Sequence, residues 1–331
     1  MPIQCKSKFY RVHLKTSVDV EVYDLILNAL EDYKKEVTVT PRLMTGISYS
    51  LCELVLFVRM DNPGLFYVDF HSYRYLPQHQ SVKIIFSYLY PEAQIKRVEK
   101  KIKDRIYAIS RSLSAFRLDA YGKELALHDF LATSVKYEHT DSSYHKAHSS
   151  VGAILHGRAV CEGYAMAFKL LCDALGLSCI VVFGRTSNSN EGEGHAWNIV
   201  KLNGKCYHVD VTWDSAQTSS NYKGYFNLTD EEMAYDHSWD SDLLPRCTAT
   251  EDNFFVRSGA YITSSVELKS HIVSGLKKGK KEFFAKINHK FKNESILAQI
   301  ISEAIGEVYP TCPFLYSYEK ERDLLSIFIS S

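Results

Sequence analysis

Of the eight cysteines in this chain, Cys161 has the neighbours that chemistry would require. In GRAVCEGYAMAFKLLCDALGL (157–177), Ala165, Ala167, Phe168, Leu171, Cys172 and Leu175 recur at near-helical spacing, and Gly176 offers a stop. This pattern predicts a helix from about 161 to 175 with Cys161 in its first turn. Unpaired N–H groups and the helix dipole favour a thiolate there, and the same groups can receive an oxyanion. Gly163 and Ala165 leave room for a close-packed neighbour or a substrate backbone. A thiol nucleophile needs a base, and the base needs an orienting group.

Both appear downstream in EGHAWNIVKLNGKCYHVDVTWD. Two alternating runs, 195–201 and 206–213, flank Asn203-Gly204, a strong two-residue hairpin signal. That turn pairs Leu202 with Lys205, which sets Asp210 opposite Trp197 and makes His195 and Asp210 diagonal neighbours on one face. A slip of one residue would separate them. The chemistry is then thiol-dependent acyl transfer. Cys161 attacks an amide or acyl carbonyl, His195 carries the proton to the leaving amine, and Asp210 holds the imidazole in the required tautomer.

The elements that must position these groups form three regions. Residues 1–115 mix helical stretches (18–33 and 47–58) with aromatic-rich strands (65–76 and 81–90) and end in a charged helix from Pro91; this reads as an α+β accessory domain. Residues 116–245 hold the chemistry, on a Cys-bearing helix packed against an antiparallel sheet that bears His and Asp. Residues 250–331 read as helix (264–277), strand (281–287), helix (291–306) and two strands (313–319 and 323–329), a small α/β accessory domain. The fold class is α+β.

Composition narrows the partners. Lys+Arg and Asp+Glu number 39 each, so net charge gives no reason to expect nucleic acid or an anionic membrane. The basic stretch LKKGKK (276–281) is short and reads as a solvated turn. No window reaches the roughly 18 uncharged apolar residues of a membrane helix, and MPIQCKSKFYRVHLK lacks an apolar signal core. Scattered cysteines without CxxC pairs argue against a zinc ribbon or disulfide scaffold, leaving reduced thiols in a cytoplasmic setting as the simplest reading.

At this point the sequence resembles the transglutaminase-like (papain-like cysteine hydrolase) superfamily, in its bacterial branch. The resemblance is carried by SSVGAILHGRAVCEGYAMAFKLLCDALGL, GHAWNIVKLNGKCYHVDVTWD and YFNLTDEEMAYDHSW, and covers about 120–240. It implies a Cys161–His195–Asp210 triad, a protein or peptide substrate, and no metal or organic cofactor. Large animal members carry a tryptophan upstream of the nucleophile that supports the oxyanion. The three tryptophans here (197, 213 and 239) all follow Cys161, so that role falls to backbone or to Tyr137, at the end of the preceding helix. Hydrolysis as peptidase or deamidase therefore competes with transamidation.

Other residues receive plainer roles. His208 shares the Asp210 face but sits two residues from it on one strand, which suits support rather than base. Trp197 is expected to pack beside Asp210 and shield it; Trp213 is expected to face the opposite side, into the core. His139, His145 and His148 match no standard zinc spacing and read as a polar loop near the site entrance. Cys172 and Cys179 read as core thiols, Asp236 and His237 as structural. Gly192 and Gly194 should make the loop before His195 mobile, a candidate lid. The competing reading from another class is an idle module that keeps the fold to bind peptide or scaffold partners.

Overall fold

The computed structural model describes residues 3, 7–114, 116–139, 145–187, 194–216, 219, 221–288 and 293–330. Gly192 and Cys5 lie outside the described residues, so the expectation of a lid at Gly192 is not addressed by it. Among the described residues no helix is long and apolar enough to cross a membrane. The seven cysteines among them are all free thiols.

The N-terminal region folds as helices Ser17–Glu31 and Leu51–Asp61 beside a three-stranded antiparallel sheet of β1 (Glu36–Val39), β2 (Val68–Gln78) and β3 (Ser81–Tyr88), in the order β1-β3-β2. Each helix opens on a capping box, Thr16 with Asp19 and Ser50 with Glu53, which satisfies amides that the first turn would leave unpaired. Helix Glu92–Ser114 leads into helix Ala120–Ser134, which is followed by β4 (Lys136–Tyr137); β4 pairs in parallel with β5 (Arg158–Ala159), just before the Cys161 helix.

The helix predicted at Cys161 runs Cys161–Leu175 and stops at Gly176 in the left-handed region (φ 78°), a backbone state glycine adopts without a Cβ clash. Its small residues let it pack closely on β6 (Ser178–Thr186) and β7 (Gly194–Leu202). β8 (Lys205–Val209) returns antiparallel to β7 through Asn203 and Gly204, both at positive φ. The register is the expected one, with Leu202 opposite Lys205 and Ile199 opposite His208. The expected strand through residue 213 ends early, however. Asp210 caps a short helix, Val211–Ser215, by accepting the amides of Thr212 and Trp213 at 2.9 and 3.1 Å. An aspartate that can satisfy two free amides favours a helix start over a continued ladder. β9 (Phe226–Leu228) borders β8, and β10 (His237–Ser238) borders β6, giving the order β10-β6-β7-β8-β9.

The C-terminal sheet has the order β11-β12-β14-β13, from β11 (Tyr261–Ile262), β12 (Glu282–Ile287), β13 (Phe314–Glu319) and β14 (Leu324–Ile329). Helices Ser265–Lys277 and Glu294–Val308 bury Leu268, Ile272, Leu297 and Ile301 against it. This core is distinct from the larger one of the N-terminal and central regions, which also takes in Leu324 of β14. The link between them includes Arg322, on the turn between β13 and β14, which donates to the Gly224 carbonyl at 2.6 Å and the Tyr222 hydroxyl at 3.3 Å.

Candidate active site

Cys161 is the first residue of its helix, and the capping position before it is Val160, which has no polar side chain to occupy the first-turn amides. The thiol is 8% exposed and lines a cleft with Tyr137, His139, Gly194, His195 and Trp213. Gly163 permits a close approach two residues on. A Cβ there would lie 2.1 Å from the Ala147 carbonyl oxygen, so the room it leaves is filled by a packed neighbour rather than by a cleft.

His195 and Asp210 meet across the hairpin. The His195 Nε2–H donates to Asp210 Oδ2 at 2.6 Å, and Asp210 is fully buried. The same imidazole shares the cleft with the Cys161 thiol, which is among the groups that raise its pKa. With Nε2 turned to Asp210, Nδ1 is the nitrogen left for sulfur. Burial alone would lower the His195 pKa, but the Asp210 carboxylate and then Cys161 outweigh it and raise it to about 10. Burial likewise pushes Asp210 up, yet the charges and hydrogen bonds of His195 and His237 hold it well below the usual carboxylate range. At neutral pH this arrangement favours an imidazolium against the Asp210 carboxylate.

Trp197 lies over His195 with ring centroids 5.9 Å apart and planes at 22°. Its indole N–H donates to His208 Nδ1 at 3.0 Å, and His208 Nε2–H faces Asp230 at 3.1 Å. His208 therefore orients the tryptophan and takes no place in the cleft; burial holds its pKa below the ordinary value. Gly184, opposite His195 in the ladder, makes room for that indole: a Cβ would lie 2.5 Å from it. Trp213 is a correction to the expectation of a core-facing ring. Because residues 211–215 are helical, its ring turns toward the site, 5.9 Å from His195 and 4.6 Å from His237. Tyr137 sits in β4, just past the helix end, and is exposed at the cleft wall with the His139 ring tilted against it at 4.7 Å.

His237, read from the sequence as structural, packs directly against the Asp210 carboxylate. Its Nε2–H reaches Asp210 Oδ2 at 3.2 Å, and its Nδ1–H reaches Asp236 Oδ1 at 2.5 Å. The only local signal was its place in the YFNLTDEEMAYDHSW block. His145 and His148 do not join His139. His145 pairs with Asp69 at 2.8 Å, and His148 joins His71 and Arg59 around Glu162, the residue after Cys161.

Three groups among the described residues have donor atoms close enough for a metal ion: His71, His148 and Glu162; His195, Asp210 and His237; His208, Asp230 and Cys247. Each has a competing occupant. The Arg59 guanidinium stands 2.9 Å from Glu162 and 3.3 Å from His71, so a cation already neutralises the first. In the second, both rings spend N–H groups on one carboxylate oxygen. In the third, the Trp197 donation places the His208 proton on the nitrogen that a metal would need.

Residues 107–211 match the family model of the transglutaminase-like superfamily, and the chain carries a domain of that superfamily within an α+β fold. The kyphoscoliosis peptidase of Mus musculus is 37% identical over 78 residues, 20% of this chain and 12% of that protein. That of Homo sapiens is 41% identical over 63 residues, 17% of this chain and 10% of that protein. The match thus spans about a tenth of these relatives' length. A solved structure of a candidate cysteine protease from Cytophaga hutchinsonii aligns over 43% of this chain and 61% of its own, at 12% identity and a TM-score of 0.30.

Proposed function

We propose that the protein is a thiol acyl-transfer enzyme acting on protein or peptide amide bonds, with Cys161, His195 and Asp210 as its triad. The observation that carries this reading is a helix-start thiol sharing one cleft with an imidazole that is hydrogen-bonded to a buried, amide-anchored carboxylate. The Cys161 thiolate attacks the carbonyl carbon, and the developing oxyanion is received by the free amide at the helix start. His195 gives its proton to the departing amine, leaving a thioester on Cys161. Water or a second amine then attacks as His195 takes its proton, releasing a carboxylic acid or a new amide. Asp210 fixes the ring through both halves. Tyr137, on the cleft wall, is a second donor candidate for the oxyanion. We place hydrolysis first, in keeping with the peptidase name of the mammalian relatives. Nothing in this sequence of steps calls on a cofactor.

Incubation with a peptide library, with and without a primary amine, sorts the outcomes by mass. Cleaved peptides support a peptidase, deamidated glutamine a deamidase, and amine adducts a transglutaminase. Each should vanish in Cys161→Ala. No product in any arm, with peptides retained on the protein, would replace this proposal with a peptide-binding module.

A further inference from the structure

We propose that His237 is a positioning residue for the triad, and that Arg322, on the hairpin of the C-terminal sheet, locks it in place through Asp236 and Tyr225. This rests on the acyl-transfer reading above. Asp210 has four N–H groups on its two oxygens. The Thr212 and Trp213 amides hold Oδ1, while His195 and His237 share Oδ2. Without His237, Oδ2 would be fixed by His195 alone, the very group it has to orient.

His237 is itself held from behind. A neutral imidazole has one N–H, but both of its nitrogens face carboxylate oxygens, Asp210 on one side and Asp236 on the other. Satisfying both takes the imidazolium, and the two carboxylates raise its pKa against the opposing pull of burial. The second oxygen of Asp236 accepts the Tyr225 hydroxyl at 2.6 Å, with Arg322 Nε 4.0 Å away. The Arg322 guanidinium lies 3.7 Å from the Tyr225 ring centroid and is nearly buried, 9% exposed along its side chain. Inward from the Cys161 thiol the charges alternate: His195 imidazolium, Asp210, His237 imidazolium, Asp236, and Arg322, which also has Glu319 at 3.8 Å. The walls of this line are aromatic, Trp197 and Trp213 packing on His237 at 5.0 and 4.6 Å. The C-terminal region thereby contributes the terminal cation of the active-site network.

The test reads the rate of Cys161 alkylation by iodoacetamide at pH 6, by peptide mapping, in the full-length chain. His237→Gln should slow alkylation about tenfold, the worth of one charge-assisted hydrogen bond, and Arg322→Ala, which removes a charge 4.0 Å from Asp236, about threefold. Arg322→Lys should recover part of the loss. In a His195→Ala background the same substitutions should change the rate by less than about twofold, since they act through that ring. A general loosening of the fold would move the rate in both backgrounds and overturns the proposal. So does an unchanged rate in the otherwise wild-type protein, which leaves the acyl-transfer reading standing. Should His195→Ala alone leave the rate unchanged, the acyl-transfer reading falls and takes this proposal with it. Tyr225→Phe, which removes only the hydroxyl on Asp236, gives the same readout if Arg322→Ala fails to fold.

Discussion

Replacing Asp210 by Asn keeps the shape of the side chain and an oxygen for the Thr212 and Trp213 amides, but removes the charge facing His195. Two unit charges about 4 Å apart, at an effective dielectric of about 20, attract by about 4 kcal/mol. At 1.36 kcal/mol per pKa unit this is about three units, most of the rise from an ordinary imidazole to about 10 that its surroundings give His195. The His195 titration, followed through its Cε1–H resonance, is therefore expected to fall from near 10 to about 7 in Asp210→Asn. Stability should follow. The raised pKa of His195 contributes stability that is whole below its ordinary value and is lost as pH climbs through about 10. The depressed pKa of Asp210 contributes stability present above the ordinary carboxylate value and lost in acid. The gap between wild type and Asp210→Asn in urea unfolding should be widest between those limits and close on either side. A His195 midpoint that stays near 10 in the variant would refute the electrostatic argument.

Three further outcomes are expected. Gly163→Ala forces a Cβ against the Ala147 carbonyl and 2.9 Å from the Ala159 Cβ, so chemical denaturation should show a loss of about 1–3 kcal/mol. Arg59→Ala strips the largest opposing charge from Glu162, whose carboxyl burial would raise and Arg59, His148 and His71 hold far down; removing one partner of such a pair costs about 3–5 kcal/mol, and the deficit should shrink as acid protonates Glu162. Burial raises the Glu124 pKa to about 8, so the folded protein binds a proton there that the unfolded chain releases, and stability falls as pH rises from about 4.5 to 8. Glu124→Gln should flatten that slope and be the more stable protein at pH 8, measured by thermal unfolding across pH.

Much of the site was legible because its signals are local. Asn203-Gly204 fixes a hairpin register, and the register decides that His195 and Asp210 share a side. The Cys161 helix announces its length through small residues and Gly176. What the sequence hid is long-range or competitive. Asp210 could continue a strand or cap a helix, and the choice falls to its amide partners; that choice swings Trp213 from the core to the cleft. His237 reaches Asp210 from a two-residue edge strand 27 positions away, and Arg322 approaches Asp236 from the β13–β14 turn, with no periodicity linking either pair. Arg59 and His71 gather around Glu162 across 103 and 91 positions in the same way.

The most direct test of the central claim is competitive labelling of the native chain with substoichiometric iodoacetamide near pH 6. Cys161 should be carboxamidomethylated well ahead of the other seven thiols, and His195→Ala should abolish that lead. Equal labelling of Cys161 and an exposed thiol such as Cys52, unchanged by His195→Ala, would contradict it.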